Sequence, residues 1–404
     1  MWKLSDVFLL LVLSIVIINI PGCSEKKKGE TIVEVIFPDT GINMDIPVAI
    51  ELPEGFDETA TWTLAPKNVG ESNTIYTQIF DDVETKRLVF LLNPGKHEKL
   101  QLVLHKSKVP AKEIFTFTDN DNKFLTLYEN ESPVMTYVYG MNLKEGVPED
   151  RTRSGYIHPV YGLDGEILTE DFPVDHYHHR GIYIAWPRVI VDGDSLDLWH
   201  IRGIEKRFER WLLKETGPVY ARLGIQTGWY KGENKVVDER LFVTVYRVGT
   251  IGRIMDFQVT FEALYSPVKI IGSADLKGYG GFNYRPATFE EPVITAEGET
   301  QADSDLKRFA WADFSARFGG RNVSSGTAIF EDKRNINTPN GWCIRHYGFL
   351  GIEWPGNNPY ILEPGTQLMN RYRIWFHRGN AEEGSVDSAF SVYENPPKAN
   401  ITEN

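Results

Sequence analysis

This sequence predicts an all-β protein, and three observations predict it. Short runs of β-branched and aromatic residues alternate apolar and polar with a period of two, turn signals interrupt them about every ten residues, and helical periodicity is scarce. Their distribution divides the chain into a small N-terminal β-sandwich and a large antiparallel two-sheet β-sandwich.

The first segment stands outside that pattern. Lys3 precedes an apolar run from Val7 to Ile18, too short to span a bilayer stably, which ends at IPGC with Cys23. This resembles a bacterial lipoprotein signal: residues 1–22 are removed, the Cys23 thiol takes the lipid, and a charged tether, CSEKKKG, follows over residues 23–29. An ordinary signal peptide that happens to contain a cysteine is the plainer alternative. The anchor places the protein in the bacterial cell envelope, on the periplasmic face or at the outer membrane. With Cys23 acylated, Cys343 is the other cysteine of the chain's two and reads as a buried thiol.

From residue 30 to about 108, TIVEVIF, DIPVAIEL, TKRLVFLL and KLQLVLHK read as the strands of an accessory sandwich. VPAKE, with Pro110, is a linker. The pattern then resumes through FTFTD, KFLTLYE, PVMTYVYG, GIYIAWPRVIV, VYARLGIQTGWY, RLFVTVYRV, RIMDFQVTFEAL and VKIIGSADLKG, giving a catalytic sandwich over residues 109–396. One short helix is expected, at Ser304 to Phe309. Large sandwiches of this kind hold sugars on a concave face in mutarotases and polysaccharide lyases.

Composition narrows the function. The 404 residues are 42% hydrophobic and 25% charged, an ordinary globular content, and the net charge of -13 with no long basic stripe excludes a nucleic-acid backbone as partner. Aromatic residues make up 12% of the chain, with 10 Trp and 18 Tyr, enough flat surface for stacking on sugar rings, although such side chains also fill cores.

The densest chemistry lies in DFPVDHYHHRGIYIAW, Asp171 to Trp186, where His176, His178 and His179 fall within four positions and Arg180 follows. Together with GYGGFNYRP, WADFSARFGG and PGTQLMNRYRIWFHRG, this stretch resembles, in order and spacing, the PmoA-like family of secreted bacterial proteins, over roughly Phe115 to Gly379. Within that family the chain is similar to the subgroup of ulvan oligosaccharide dehydratases. The resemblance implies a carbohydrate-active β-sandwich enzyme whose substrate is an acidic algal oligosaccharide. The segment 30–108 lies outside it.

If DHYHHR is extended, His176, His178 and Arg180 share one face and Tyr177 and His179 the other. Three readings remain open. A divalent metal would take the His-x-His pair with His158, Asp175 or His346, giving a metal-dependent sugar enzyme or oxygenase. A proton-transfer site would use the imidazoles and Tyr177 as acid and base, with Arg180 neutralising a substrate carboxylate and no cofactor. A hydrogen-bonded structural loop is the third.

Arg180 favours the second, because a guanidinium opposes a nearby cation but matches a uronate. Removal of the proton at C5 of a uronic acid builds charge beside the carboxylate, so that carboxylate must be neutralised while an acid protonates the group leaving C4. When hydroxyl leaves, the reaction is dehydration. Further candidates are His158 between Gly155 and Gly162, and Asn283, Tyr284 and Arg285 after a glycine run, with Arg285 the second choice for carboxylate binding. His346 completes the substrate-binding set. A non-catalytic glycan-binding lipoprotein would also account for the aromatics and the anchor.

Overall fold

The computed structural model describes residues 30–403 with the exception of 39–40, 68–73, 82–84 and 276. The expected signal peptide, the lipidated Cys23 and the tether lie outside the described residues. Among the described residues, no helix is long and apolar enough to cross a membrane.

Two nine-stranded antiparallel sheets form the body. One runs, in spatial order, Ser304–Arg308, Gly341–Arg345, Phe349–Glu353, Gly281–Tyr284, Ile182–Ala185, Tyr156–Val160, Ser132–Val138, Phe124–Glu129 and Phe115–Asn120. The other runs from Glu205–Glu215 through Tyr220–Lys231, Asn234–Tyr246, Gly252–Ala263, Gln367–Arg378, Ser324–Glu331, Trp311–Phe318 and Phe289–Ala296 to Glu299–Thr300. Their facing side chains make one core, with Ile182, Ile184, Phe282, Tyr284, Leu350 and Ile352 from the first sheet and Leu223, Val243, Phe257, Phe261, Ile374 and Phe376 from the second. A four-stranded sheet of Asp194–Leu196, Arg188–Val191, Val268–Ile271 and Tyr360–Leu362 accompanies them. The fold is thus the all-β sandwich that the alternating runs predict.

The second large sheet is buried on both faces at its centre. Along Gln367–Arg378, Ile374 and Phe376 enter the main core while Trp375 between them joins a second core, a direct result of the two-residue repeat. That second core is shared with the N-terminal sheet, through Val33, Val35, Ile46, Val48, Ile50, Leu88, Phe90 and Leu102. The strand Ile75–Asp81 pairs with Trp62–Pro66 at its start and with Lys86–Leu92 over the rest, so the sheet turns a corner and wraps its own apolar face.

Two local expectations are corrected. Ser304 to Phe309 is not helical: Ser304–Arg308 is an edge strand paired with Gly341–Arg345, with an irregularity between Ser304 and Lys307. Six residues carry too little periodicity to nucleate a helix, and sheet pairing decides the conformation. The α-helix is instead Val386–Glu394, which buries Val386, Ala389 and Val392 at three-residue spacing. The N-terminal sheet also takes a strand from the far end of the chain, because Lys398–Glu403 pairs along Thr31–Ile36 with Val33 opposite Ile401. Segment 30–108 therefore does not complete its sheet alone.

Candidate active site

Strand register builds the floor of the site. In the first large sheet Tyr183 pairs with Asn283, Asn283 with Gly351 and Gly351 with Cys343, so these four stand in one row across four strands. Alternation puts their neighbours Ile182, Ile184, Phe282, Tyr284, Leu350 and Ile352 into the core and leaves this row on the opposite face, where Arg285 and Phe349 extend it. A side chain at Gly351 would meet the Asn283 carboxamide oxygen at 2.8 Å, so glycine makes room for the amide there. The Asn283 Nδ2 donates to the Gly281 carbonyl at 2.6 Å and the Tyr183 carbonyl at 3.3 Å.

Over this floor lies the histidine segment, and it is not extended. The His176 N–H donates to the Pro173 carbonyl at 3.0 Å and the His179 N–H to the His176 carbonyl at 2.8 Å, two successive turns that replace the expected strand alternation. Turns bring the three rings together: His176 lies flat on His179 with centroids 4.6 Å apart and planes at 7°, while His178 meets both edge-on. Tyr347 covers the other side of His176 at 5.1 Å, and Phe349 lies 4.9 Å from His179. Imidazole lone pairs lie in the ring plane, so parallel stacked rings do not converge on one ion, and this arrangement fits a metal poorly.

Arg180 is the main correction to the site. Its side chain is 0% exposed, and its guanidinium donates to the carbonyls of Tyr177 at 2.5 Å, His179 at 2.7 Å and Arg151 at 2.6 Å. The Asp171 carboxylate lies 3.3 Å from its Nε, and the Phe172 ring sits 3.5 Å from the guanidinium carbon. Two turns following one another leave carbonyls pointing inward, and Arg180 satisfies them. It fixes the loop and is closed off from solvent.

Arg285, the second choice for carboxylate binding in the sequence, lies at the end of this floor. It is 7% exposed, its Nη2 donates to both oxygens of Asp175 at 2.8 and 3.0 Å, and its Nε and Nη1 are buried without a hydrogen-bond partner. Close by, His179 Nδ1 and the Tyr183 hydroxyl are also buried and unpartnered. Buried donors without acceptors are costly, and their concentration on one floor marks where a polar ligand would sit.

The remaining sequence candidates separate. His158 hydrogen-bonds through Nδ1 to the Thr169 hydroxyl at 3.0 Å and is not in the ring stack. Tyr284 faces the core, donating to the Leu168 carbonyl at 2.7 Å and accepting from Thr327 at 3.2 Å, so it binds no substrate. His346 turns away to Asp303 at 2.7 Å, and its neighbour Tyr347 covers the histidines in its place. Tyr177 is engaged through its carbonyl, by Arg180.

His200 was not singled out from the sequence. Its ring lies 4.4 Å from that of His178, and its Nδ1 is 2.8 Å from Asp197 Oδ2. An aspartate three residues before a histidine was the available signal. Trp199, also unremarked, packs its ring 5.5 Å from Tyr183 and 5.7 Å from His179.

Burial sets the protonation of the group. It lowers His178 to about 2, with neighbouring His200, His176 and Arg153 adding to the effect, and holds His179 well below its ordinary value. His158 is lowered to about 4 by burial, then by Lys144 and Arg180. Asp171 is raised to about 6 by burial, against the opposing pull of Arg180. At the rim, the side chains of His176 and His200 are 35% and 23% exposed. Among the described residues, Asp305, Cys343 and Glu353 form a separate group with ligand atoms within 4.8 Å of one another.

The chain belongs to DUF6807, a family of unknown function, whose model matches residues 125–391 and so spans this whole arrangement. No curated protein matches the sequence. Among solved structures, an α-mannosidase from Enterococcus faecalis V583 is similar with a TM-score of 0.45 at 9% identity, over 93% of this chain and 46% of its own. A 4-α-glucanotransferase from Thermococcus litoralis is similar with a TM-score of 0.20 at 10% identity, over 67% of this chain and 40% of its own. The part of either enzyme that is covered is less than half its length.

Proposed function

We propose that this protein is a lipid-anchored carbohydrate-active dehydratase, a carbon–oxygen lyase that eliminates water from a terminal uronic acid of an ulvan-type oligosaccharide. The carrying observation is Arg285, a buried guanidinium with two N–H edges unpartnered beside the unpartnered Tyr183 hydroxyl and His179 Nδ1. Such a fork takes a carboxylate through directed, charge-assisted hydrogen bonds. With the carboxylate held, His200 oriented by Asp197 takes the C5 proton. The C5–H electrons form the C4–C5 double bond, the C4–O bond breaks, and the Tyr183 hydroxyl gives its proton to the departing hydroxyl, which leaves as water. Tyr347, 44% exposed beside His176, supplies a face for the sugar ring.

The test is incubation with oligosaccharides ending in a uronic acid, following ultraviolet absorbance of the conjugated product, before and after exhaustive chelation. Water loss that survives chelation is the expected result. Absorbance that appears only after one divalent ion is restored would replace this reading with a metal-dependent one, and binding without turnover would leave a glycan-binding protein.

A further inference from the structure

A cavity of about 510 Å³ opens far from the histidines in the fold, between the N-terminal sheet and the outer face of the second large sheet. Its wall carries Arg87, Arg222, Arg334, Arg371 and Arg373 against Asp256 and Asp332, a net charge of +3 in a chain of net charge -13. Phe80, Phe242, Tyr246 and Tyr393 line it as well. Asp256 holds Arg373 at 2.6 and 2.8 Å, and Asp332 holds Arg334 at 2.7 and 2.5 Å.

Arg222 is different. It is 7% exposed, donates through Nη1 to the Asp81 carbonyl at 2.8 Å, and has a buried Nε with no hydrogen-bond partner. Its guanidinium lies 4.2 Å from the Phe80 ring and 4.9 Å from the Phe242 ring, and Arg87 approaches the same Phe80 ring at 5.1 Å. The Arg222 guanidinium, held against the Phe80 and Phe242 rings, gives the wall of the cleft a fixed positive charge that an anion would match. The aromatic walls select an anion carried on flat apolar faces.

We propose that this cleft is a second binding site, for an oligosaccharide bearing carboxylate or sulfate groups, formed jointly by the N-terminal sheet and the large sandwich. Arg222 holds an anionic group, and Phe80 and Phe242 fix the guanidinium that does so. The choice of a sugar as carrier rests on the activity proposed above, while the anion site rests on the cleft alone.

The experiment uses the full chain carrying Arg285→Gln, which removes the carboxylate fork of the candidate active site. Binding of an oligouronide, a sulfated neutral oligosaccharide and an uncharged oligosaccharide of equal length is measured by calorimetry at two salt concentrations. Residual binding of one or both acidic ligands, weakened by salt and not shared by the uncharged one, is expected, with the arm that binds identifying carboxylate or sulfate. Adding Arg222→Gln should weaken it at least tenfold. Gln258→Glu, a lining substitution that adds negative charge while leaving Arg222 in place, should weaken it as well. Absence of residual binding, or binding indifferent to both substitutions, overturns the cleft site.

Discussion

Asp197 Oδ2 lies 2.8 Å from His200 Nδ1, and the Asp197 Oδ1 accepts the backbone N–H of the same histidine at 2.8 Å. One carboxylate thus fixes both the ring and the chain that carries it, the orientation that the proposed base role requires. His200→Ala should lower kcat by about 10²- to 10⁴-fold, and Asp197→Asn should lower it less while leaving KM nearly constant, as measured by steady-state kinetics on a uronate-ended oligosaccharide. Turnover at the wild-type rate in His200→Ala would remove it from the mechanism.

Arg285→Lys keeps a positive charge but loses the planar fork. The expected loss in kcat/KM is about a hundredfold, or roughly 3 kcal/mol, with little recovered relative to Arg285→Ala. A lysine variant close to wild type would show that charge alone suffices and that the geometry of the fork is irrelevant.

Arg180 predicts a different phenotype. Removing a buried guanidinium strands the Tyr177, His179 and Arg151 carbonyls and the Asp171 carboxylate. Arg180→Gln should therefore destabilise the fold by about 3–5 kcal/mol in denaturant titrations. Full stability with a purely kinetic defect would return Arg180 to a role at the substrate.

Much of the fold was legible because buried strands must alternate, as Ile374, Trp375 and Phe376 do between two cores. What the sequence hid was non-local. Lys398–Glu403 reads as a polar tail until Thr31–Ile36 offers it a partner, and Ser304–Arg308 is a strand because Gly341–Arg345 is beside it. At the site, the cluster of histidines was visible but not its geometry: reading DHYHHR as extended placed Arg180 on a face, whereas the turns bury it. Alternation in GFNYRP was enough to separate Asn283 and Arg285 from Tyr284, and it was the overlooked signal. His200 stands alone in its stretch of sequence and joins the cluster only through folding.

Location is tested at a residue outside the described structure. Cys23→Ala should leave the precursor unprocessed by lipoprotein peptidase and move the protein out of the detergent phase on partitioning. Normal processing of that variant would rule out the anchor.

The buried titratable groups give a pH dependence whose sign can be worked out. His158 and His178 have folded values of about 4 and about 2 against an ordinary value of 6.5, so below that value the unfolded chain takes up protons that the folded chain refuses. Each histidine therefore withdraws stability as pH falls, by up to one proton's worth of slope. Asp171 acts in the opposite sense: its folded value of about 6 lies above the ordinary 3.8, so the folded chain holds a proton over that window and gains stability as pH falls through it. Unfolding free energies from urea titrations between pH 7 and pH 4 should thus fall less steeply for His178→Asn than for wild type, by nearly one proton, and more steeply for Asp171→Asn. Identical slopes in all three proteins would mean that the two side chains keep their ordinary protonation in the fold, and the picture of a buried, neutral His178 beside a protonated Asp171 would fail with it.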